Sequence, residues 1–111
     1  MYLSEKPDPA PNGGAPVILE GIVRKVCVAA TYNRMEVILA PHALFTRNDA
    51  LYVAAATIER DGQPPREEKI GLFKLDGLAG LRLDGRDFAV SSVWEPQDER
   101  LGGAVLMAVE A

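Results

Sequence analysis

The chain breaks into short β-forming runs, each closed by a turn signal, and this rhythm most limits what it can become. Residues 26–32 are rich in β-branched and small side chains. Asn33-Arg34 follows as a two-residue connection, with a turn-forming residue first. Residues 35–40 alternate, with Met35, Val37 and Leu39 on one face and Glu36 and Ile38 on the other. Pro41 donates no ladder hydrogen bond and is expected to end that strand, leaving 43–46 as a short extended segment. Arg47-Asn48-Asp49 is a turn candidate, because Asn and Asp tolerate positive φ. Residues 51–58 form the most hydrophobic strand. Asp61-Gly62 opens a longer loop through Pro64, Pro65 and the charged run 66–69. Strands are expected at 70–75 and 88–94. Asp76-Gly77 is expected to cap a short turn or helix holding Leu78, Ala79 and Leu81, and Asp84-Gly85 to form a further turn. The apolar run 104–109 fits neither period and reads as strand or helix.

One α-helical stretch precedes the strands. Pro16 suits a first helical turn, and Ile18 and Ile22, with Leu19 and Val26, share one stripe. Glu20 stands four residues before Arg24, a supportive pair for an exposed face. Gly21 argues against this helix. Residues 1–15, with three prolines and a Gly pair, bury too little apolar surface to order and read as a flexible arm. Residues 16–111 then form a single domain. A flat sheet this long would expose one apolar face, so the expected fold is mainly β: a small barrel of about five strands with a short N-terminal helix. No βαβ rhythm supports a Rossmann-type fold.

Composition narrows the function classes. With 48% hydrophobic and 25% charged residues among 111, the chain resembles an average globular domain. No apolar run approaches the ~18 residues needed to span a bilayer, so no membrane partner is expected. A single cysteine, Cys27, permits no intrachain disulfide and makes a cytoplasmic location the default. One Cys and one His exclude a four-ligand Cys/His zinc site, and no cofactor fingerprint is present. The net charge of −4 disfavours nonspecific nucleic-acid binding, yet leaves room for a local basic groove. His42 is the only imidazole, and Ser91 and Ser92 lack a nucleophile elbow, so no enzyme activity is expected. Cys27 on a strand reads as a small buried hydrophobe. Trp94 reads as a core or dimer-packing residue.

The stretch from Val37 to Phe88 resembles the WYL domain, an Sm/SH3-like barrel common in bacterial transcription regulators. The matching blocks stand in the family's order. Pro41-His42-Ala43-Leu44 corresponds to a strand end, Arg47-Asn48-Asp49-Ala50 to the turn, and Leu51-Tyr52-Val53 to the Trp-Tyr-Leu strand. Phe73-Lys74-Leu75-Asp76-Gly77-Leu78 corresponds to the family's Phe-Arg-Leu-Asp-Arg-Ile strand, and Tyr32 to the end of the first barrel strand. With the helix before the barrel, the likeness covers roughly residues 16–90. It implies a ligand-sensing module for nucleotides or single-stranded nucleic acid, with Tyr52, Lys74, His42 and Arg47 as the ligand-binding residues. Lys74 keeps a charge but loses the planar fork of the family's Arg, and Gly77 removes a second cation. Thr31 and Ala29 stand where basic residues often precede the first-strand Tyr. The alternative is a structural or protein-interaction module, a homodimer or the accessory subunit of a regulator, whose ligand site has decayed.

Overall fold

The computed structural model describes residues 14–111, so the arm expected at 1–15 lies almost wholly outside the described residues. Helix α1 (Ala15–Arg24) carries Pro16 in its first turn, where the missing N–H is no loss. Ile18 and Ile22 are fully buried one turn apart, and Glu20 pairs with Arg24 at 2.5 Å on the outer face. Gly21 is the reason the helix can lie where it does. A Cβ there would meet the Val26 carbonyl at 2.9 Å and Pro41 Cγ at 3.0 Å. The residue that weakens the helix locally thus permits its closest approach to the sheet.

The fold is mainly β. Strands β1 (Val26–Tyr32), β2 (Met35–Arg47), β3 (Ala50–Arg60) and β4 (Ile70–Lys74) form an antiparallel meander. A 3₁₀ turn (Leu75–Gly77) leads to β5 (Ala79–Asp87), which returns beside β1. The path runs β4-β3-β2-β1-β5, and β6 (Val105–Ala108) pairs with β2. Among the described residues no ladder joins β4 to β5, the two ends of that path. Three tight turns have both central residues left-handed, the backbone hand that matches strand twist. They are Asn33-Arg34 (φ 51° and 67°), Asn48-Asp49 (52° and 64°) and Asp61-Gly62 (50° and 81°).

The sheet buries both faces. On the first, α1 packs through Ile18 and Ile22 over Val28, Val37, Leu39, Leu44, Val53 and Phe73. On the second, Ala40, Ala43, Ala54 and Ala56 flank Phe45 and Cys27. That face is covered by residues 88–101, a strap of irregular chain ending in a 3₁₀ turn (Glu99–Leu101) and contributing Phe88, Trp94 and Leu101. The run of alanines keeps the face low, so a strap without regular structure can lie close against it.

Several local expectations are corrected. Pro41 does not end its strand: β2 runs through it, with Pro41 opposite Ala55. It falls between the stretch of β2 paired with β1, ending at Leu39, and the stretch paired with β6, starting at Ala43. On that edge no ladder donor is needed, and a bulge follows at once, both settings in which a sheet tolerates proline. Asp84-Gly85 is not a turn but part of a bulge inside β5, where Val26 and Val28 face Asp87 and Leu83 and Gly85 takes φ 95°. Ala79 and Leu81 belong to β5 and not to a helix; of residues 75–81 only Leu75–Gly77 are helical. Residues 88–94 form no strand, because their donors are used otherwise. The Ser91 N–H donates to His42 Nε2 and the Trp94 N–H to the Ser91 carbonyl. The ambiguous run 104–109 resolves as β6.

Candidate ligand-binding site

Strand alternation and two bulges decide which side chains share a surface. From Pro41↔Ala55 to Ala43↔Ala54, β2 advances two residues for one on β3, which leaves His42 as the extra residue. A second bulge, from Ile38↔Glu59 to Leu39↔Thr57, leaves Ile58 as the extra residue of β3. Beyond His42 the parity of β2 is inverted. Ala43, Phe45 and Arg47 now face the strap side, as do Tyr52 on β3 and Ile70, Leu72 and Lys74 on β4.

Three of the four sequence-nominated residues therefore lie on one face. Tyr52 and Lys74 are direct cross-strand partners, which sets their Cβ atoms roughly 5 Å apart. On its other side Tyr52 is paired with Phe45, and the rings stack at 5.8 Å with an interplanar angle of 28°. Tyr52 points away from Val53, which fills the helix-side core, and is half-buried. Lys74 ends its strand exposed, and Arg47 is exposed at the tip of the β2–β3 hairpin, opposite Ala50. Neither cation forms an ion pair among the described residues.

His42 has a different setting. It is fully buried under the strap, with its ring centroid 5.1 Å from Phe88 and 5.5 Å from Trp94. Nδ1 lies 2.8 Å from the Ala40 carbonyl and Nε2 accepts the Ser91 N–H at 2.9 Å. One neutral tautomer, protonated at Nδ1, satisfies both contacts, so neither ring nitrogen is left for a ligand. Burial lowers its pKa below the usual 6.5, against smaller upward pulls from the Ala40 carbonyl and the Glu68 carboxylate. The Ser91 hydroxyl donates to Glu68 and not to the imidazole.

Cys27 is buried, and burial together with the nearby Asp84 carboxylate pushes its thiol up to about 11. At pH 7.5 a thiol reagent such as Ellman's reagent is expected to leave Cys27 unmodified until the chain is denatured, because the thiolate is the reacting species. Rapid labelling of the folded protein would contradict this burial.

Sequence reasoning treated the run 66–69 as a solvated loop. In the fold it walls a cavity of about 620 Å³ beside Thr57, Gly71 and Phe73, on the helix side of the sheet, with Arg60, Arg66 and Lys69 around it. None of Tyr52, Lys74, His42 and Arg47 lines this cavity. The only signal in the sequence was the recurrence of cations around Pro64-Pro65, which composition cannot separate from an ordinary polar loop. No group of three or more His, Cys, Asp or Glu that could hold a metal occurs among the described residues. None of their helices is long and apolar enough to cross a membrane.

No family model, no curated protein and no solved structure matches the chain.

Proposed function

We propose that the chain is a divergent WYL-like module that binds a nucleotide or single-stranded nucleic acid without catalysis, as a sensor or regulatory domain. The observation that carries this reading is the cross-strand pairing of Tyr52 with Lys74. A half-exposed ring backed by Phe45 offers a stacking platform, and Lys74 and Arg47 on the same face supply charge for a phosphate. The meander from β1 to β4, with β5 returning beside β1, is compatible with the small barrel that the resemblance implies. His42 then serves the site only indirectly, by fixing the strap on the same face.

The test is fluorescence anisotropy of labelled single-stranded DNA and RNA at low and near-physiological salt. Binding should weaken as salt rises, and Lys74→Ala should flatten that dependence by about one counterion. Tyr52→Ala should weaken binding by about 1–3 kcal/mol per stacked base. Unchanged affinity in both variants would remove this site.

One observation favours the second reading, an interaction module. Val105 and Leu106 on β6 are 45% and 53% exposed, and among the described residues β6 pairs only with β2. An uncharged edge of this kind is a pairing surface. A concentration-dependent dimer in light scattering, abolished by Leu106→Lys, would support that reading over the first.

A further inference from the structure

The cavity under the loop 61–69 is separate from the face that carries Tyr52 and Lys74. Its charge stands out against the acidic whole. Among the described residues, Arg60, Arg66 and Lys69 line it and Glu67 is the only carboxylate that does, which leaves two positive charges. None of the three cations is paired with a carboxylate among the described residues, although Arg24, Arg82, Arg86 and Arg100 all are. Like charges gathered without partners repel, and a polyvalent anion relieves that repulsion.

The wall opposite is apolar and made by absence. Gly71 takes no positive φ, so nothing in its backbone calls for glycine. A Cβ there would instead press on Phe73 at 3.2 Å and 3.3 Å from Cε1 and Cζ. Glycine therefore keeps the edge of the Phe73 ring accessible from the cavity. The ring itself is braced by Tyr32, edge-on at 5.2 Å.

The loop is tied down at several points. Arg60 and Gln63 exchange backbone hydrogen bonds of 2.8 Å and 3.0 Å, and the Asp61 N–H donates to the Glu36 carbonyl at 2.7 Å. The Glu68 carboxylate accepts the Ser91 hydroxyl on the strap. The rim is thus held before any ligand arrives, which lowers the ordering cost of binding.

We infer that this cavity binds a dianionic phosphate monoester with a flat apolar body, the phosphate among Arg60, Arg66 and Lys69 and the body against Gly71 and Phe73. The cavity volume of about 620 Å³ falls within the ~300–1,000 Å³ of small-molecule pockets. The two net positive charges match a phosphate monoester dianion, and Arg forks bind phosphate oxygens bidentately. The site lies on the opposite face from Tyr52 and Lys74, so it stands or falls independently of the proposed function.

The experiment is calorimetric titration of the full chain with 1-naphthyl phosphate, 1-naphthol and inorganic phosphate at pH 7.5. Backbone amide shifts are followed by NMR in parallel. The naphthyl ester should bind with shifts concentrated at Thr57, Lys69 and Gly71. Each fragment alone should bind about tenfold more weakly or worse, since both halves of the cavity contribute. Arg66→Ala with Lys69→Ala, both on exposed loop positions, should lower affinity at least about tenfold, as expected for losing two charge-assisted contacts. Glu67→Gln should raise it. Gly71→Val should abolish binding; where that variant does not fold, the loop variants decide. Lys74→Ala should leave this binding unchanged. Absence of shifts at those amides, equal affinity for ester and alcohol, or an affinity unmoved by the loop double variant would each overturn the inference.

Discussion

Phe45→Ala should lower the stability of the domain by about 4 kcal/mol, the middle of the range for deleting a buried aromatic ring. Phe45 is completely buried on the strap-side face, in a cluster that holds the small Ala40, Ala43, Ala54 and Cys27 together with Ile70 and Leu101. The four small side chains have no reach with which to fill the space left behind, and their strands are held by ladders. Part of the hole would stay open, which keeps the expected loss clear of the foot of that range. A small domain has only about 5–15 kcal/mol in all, so the variant should unfold at a far lower denaturant concentration with a similar slope. The loss should also reach the candidate site. Tyr52 stacks on Phe45 at 5.8 Å, and a double-mutant cycle of Phe45→Ala with Tyr52→Ala should show about 1 kcal/mol of coupling. Urea titration of the four proteins measures both quantities. A loss below about 1 kcal/mol for Phe45→Ala would mean that the strap-side face is not closely packed, since buried Phe deletions cost several times more.

Most of the strand ladder could be read from the sequence because its punctuation is chemical. Asn33, Asn48 and Asp61-Gly62 sit at the left-handed positions of tight turns, and residue types that tolerate that backbone are few. The alternation separates Val37 and Leu39 from Ile38, and the two sets lie on opposite faces of the sheet, each against its own core. What stayed hidden depends on tertiary partners. A bulge adds one residue and inverts the face of everything after it, and no residue type marks the positions of His42 and Ile58 as extra. The strap looked like a strand because Phe88, Val90 and Trp94 space like one. It is irregular because His42 takes the N–H of Ser91 that a neighbouring strand would have taken. Pro41 misled for a related reason: a ladder stops at proline only where a donor is needed, and β2 changes neighbours there. In the candidate site, the face of Arg47 is set by the bulge at His42, whereas the parity of Tyr52 and Lys74 followed from period. The cavity among Arg60, Arg66 and Lys69 did not, because it exists only once the loop folds back over Gly71.

The strap should be the part of the fold most sensitive to acid, and His42 the reason. Its ring is neutral when buried, with Nδ1 donating to Ala40 and Nε2 accepting from Ser91. A second proton would have to enter at Nε2, where it would face the Ser91 N–H donor. Burial accordingly holds the pKa below 6.5, and the Glu68 carboxylate, the charged group felt by the ring, offsets only part of this. A base whose folded pKa is depressed binds fewer protons folded than unfolded between that pKa and 6.5. Stability from this group is therefore complete above 6.5 and is lost as pH falls from 6.5 toward the folded pKa. The protein has a single histidine, so its one imidazole Hε1 signal reports this titration without assignment. Its midpoint should lie below 6.5, and a midpoint at or above that value would show the ring is not buried as described. His42→Ala should cost about 3 kcal/mol, combining lost packing on Phe88 and Trp94 with an orphaned Ser91 donor. In hydrogen exchange the loss should be concentrated at Ser91, whose amide donates to His42, and at Trp94, whose amide donates to the Ser91 carbonyl. Between pH 7 and 5, wild type should lose more stability than His42→Gln, which keeps an acceptor for Ser91 but cannot titrate. Parallel pH dependences for the two proteins would assign the acid sensitivity to carboxylates instead. The strap packs on the face that carries Phe45 and Tyr52, so loosening it in acid would also loosen the packing behind the proposed stacking platform. The acid range is therefore where the proposed binding at Tyr52 and the stability of the fold should begin to fall together.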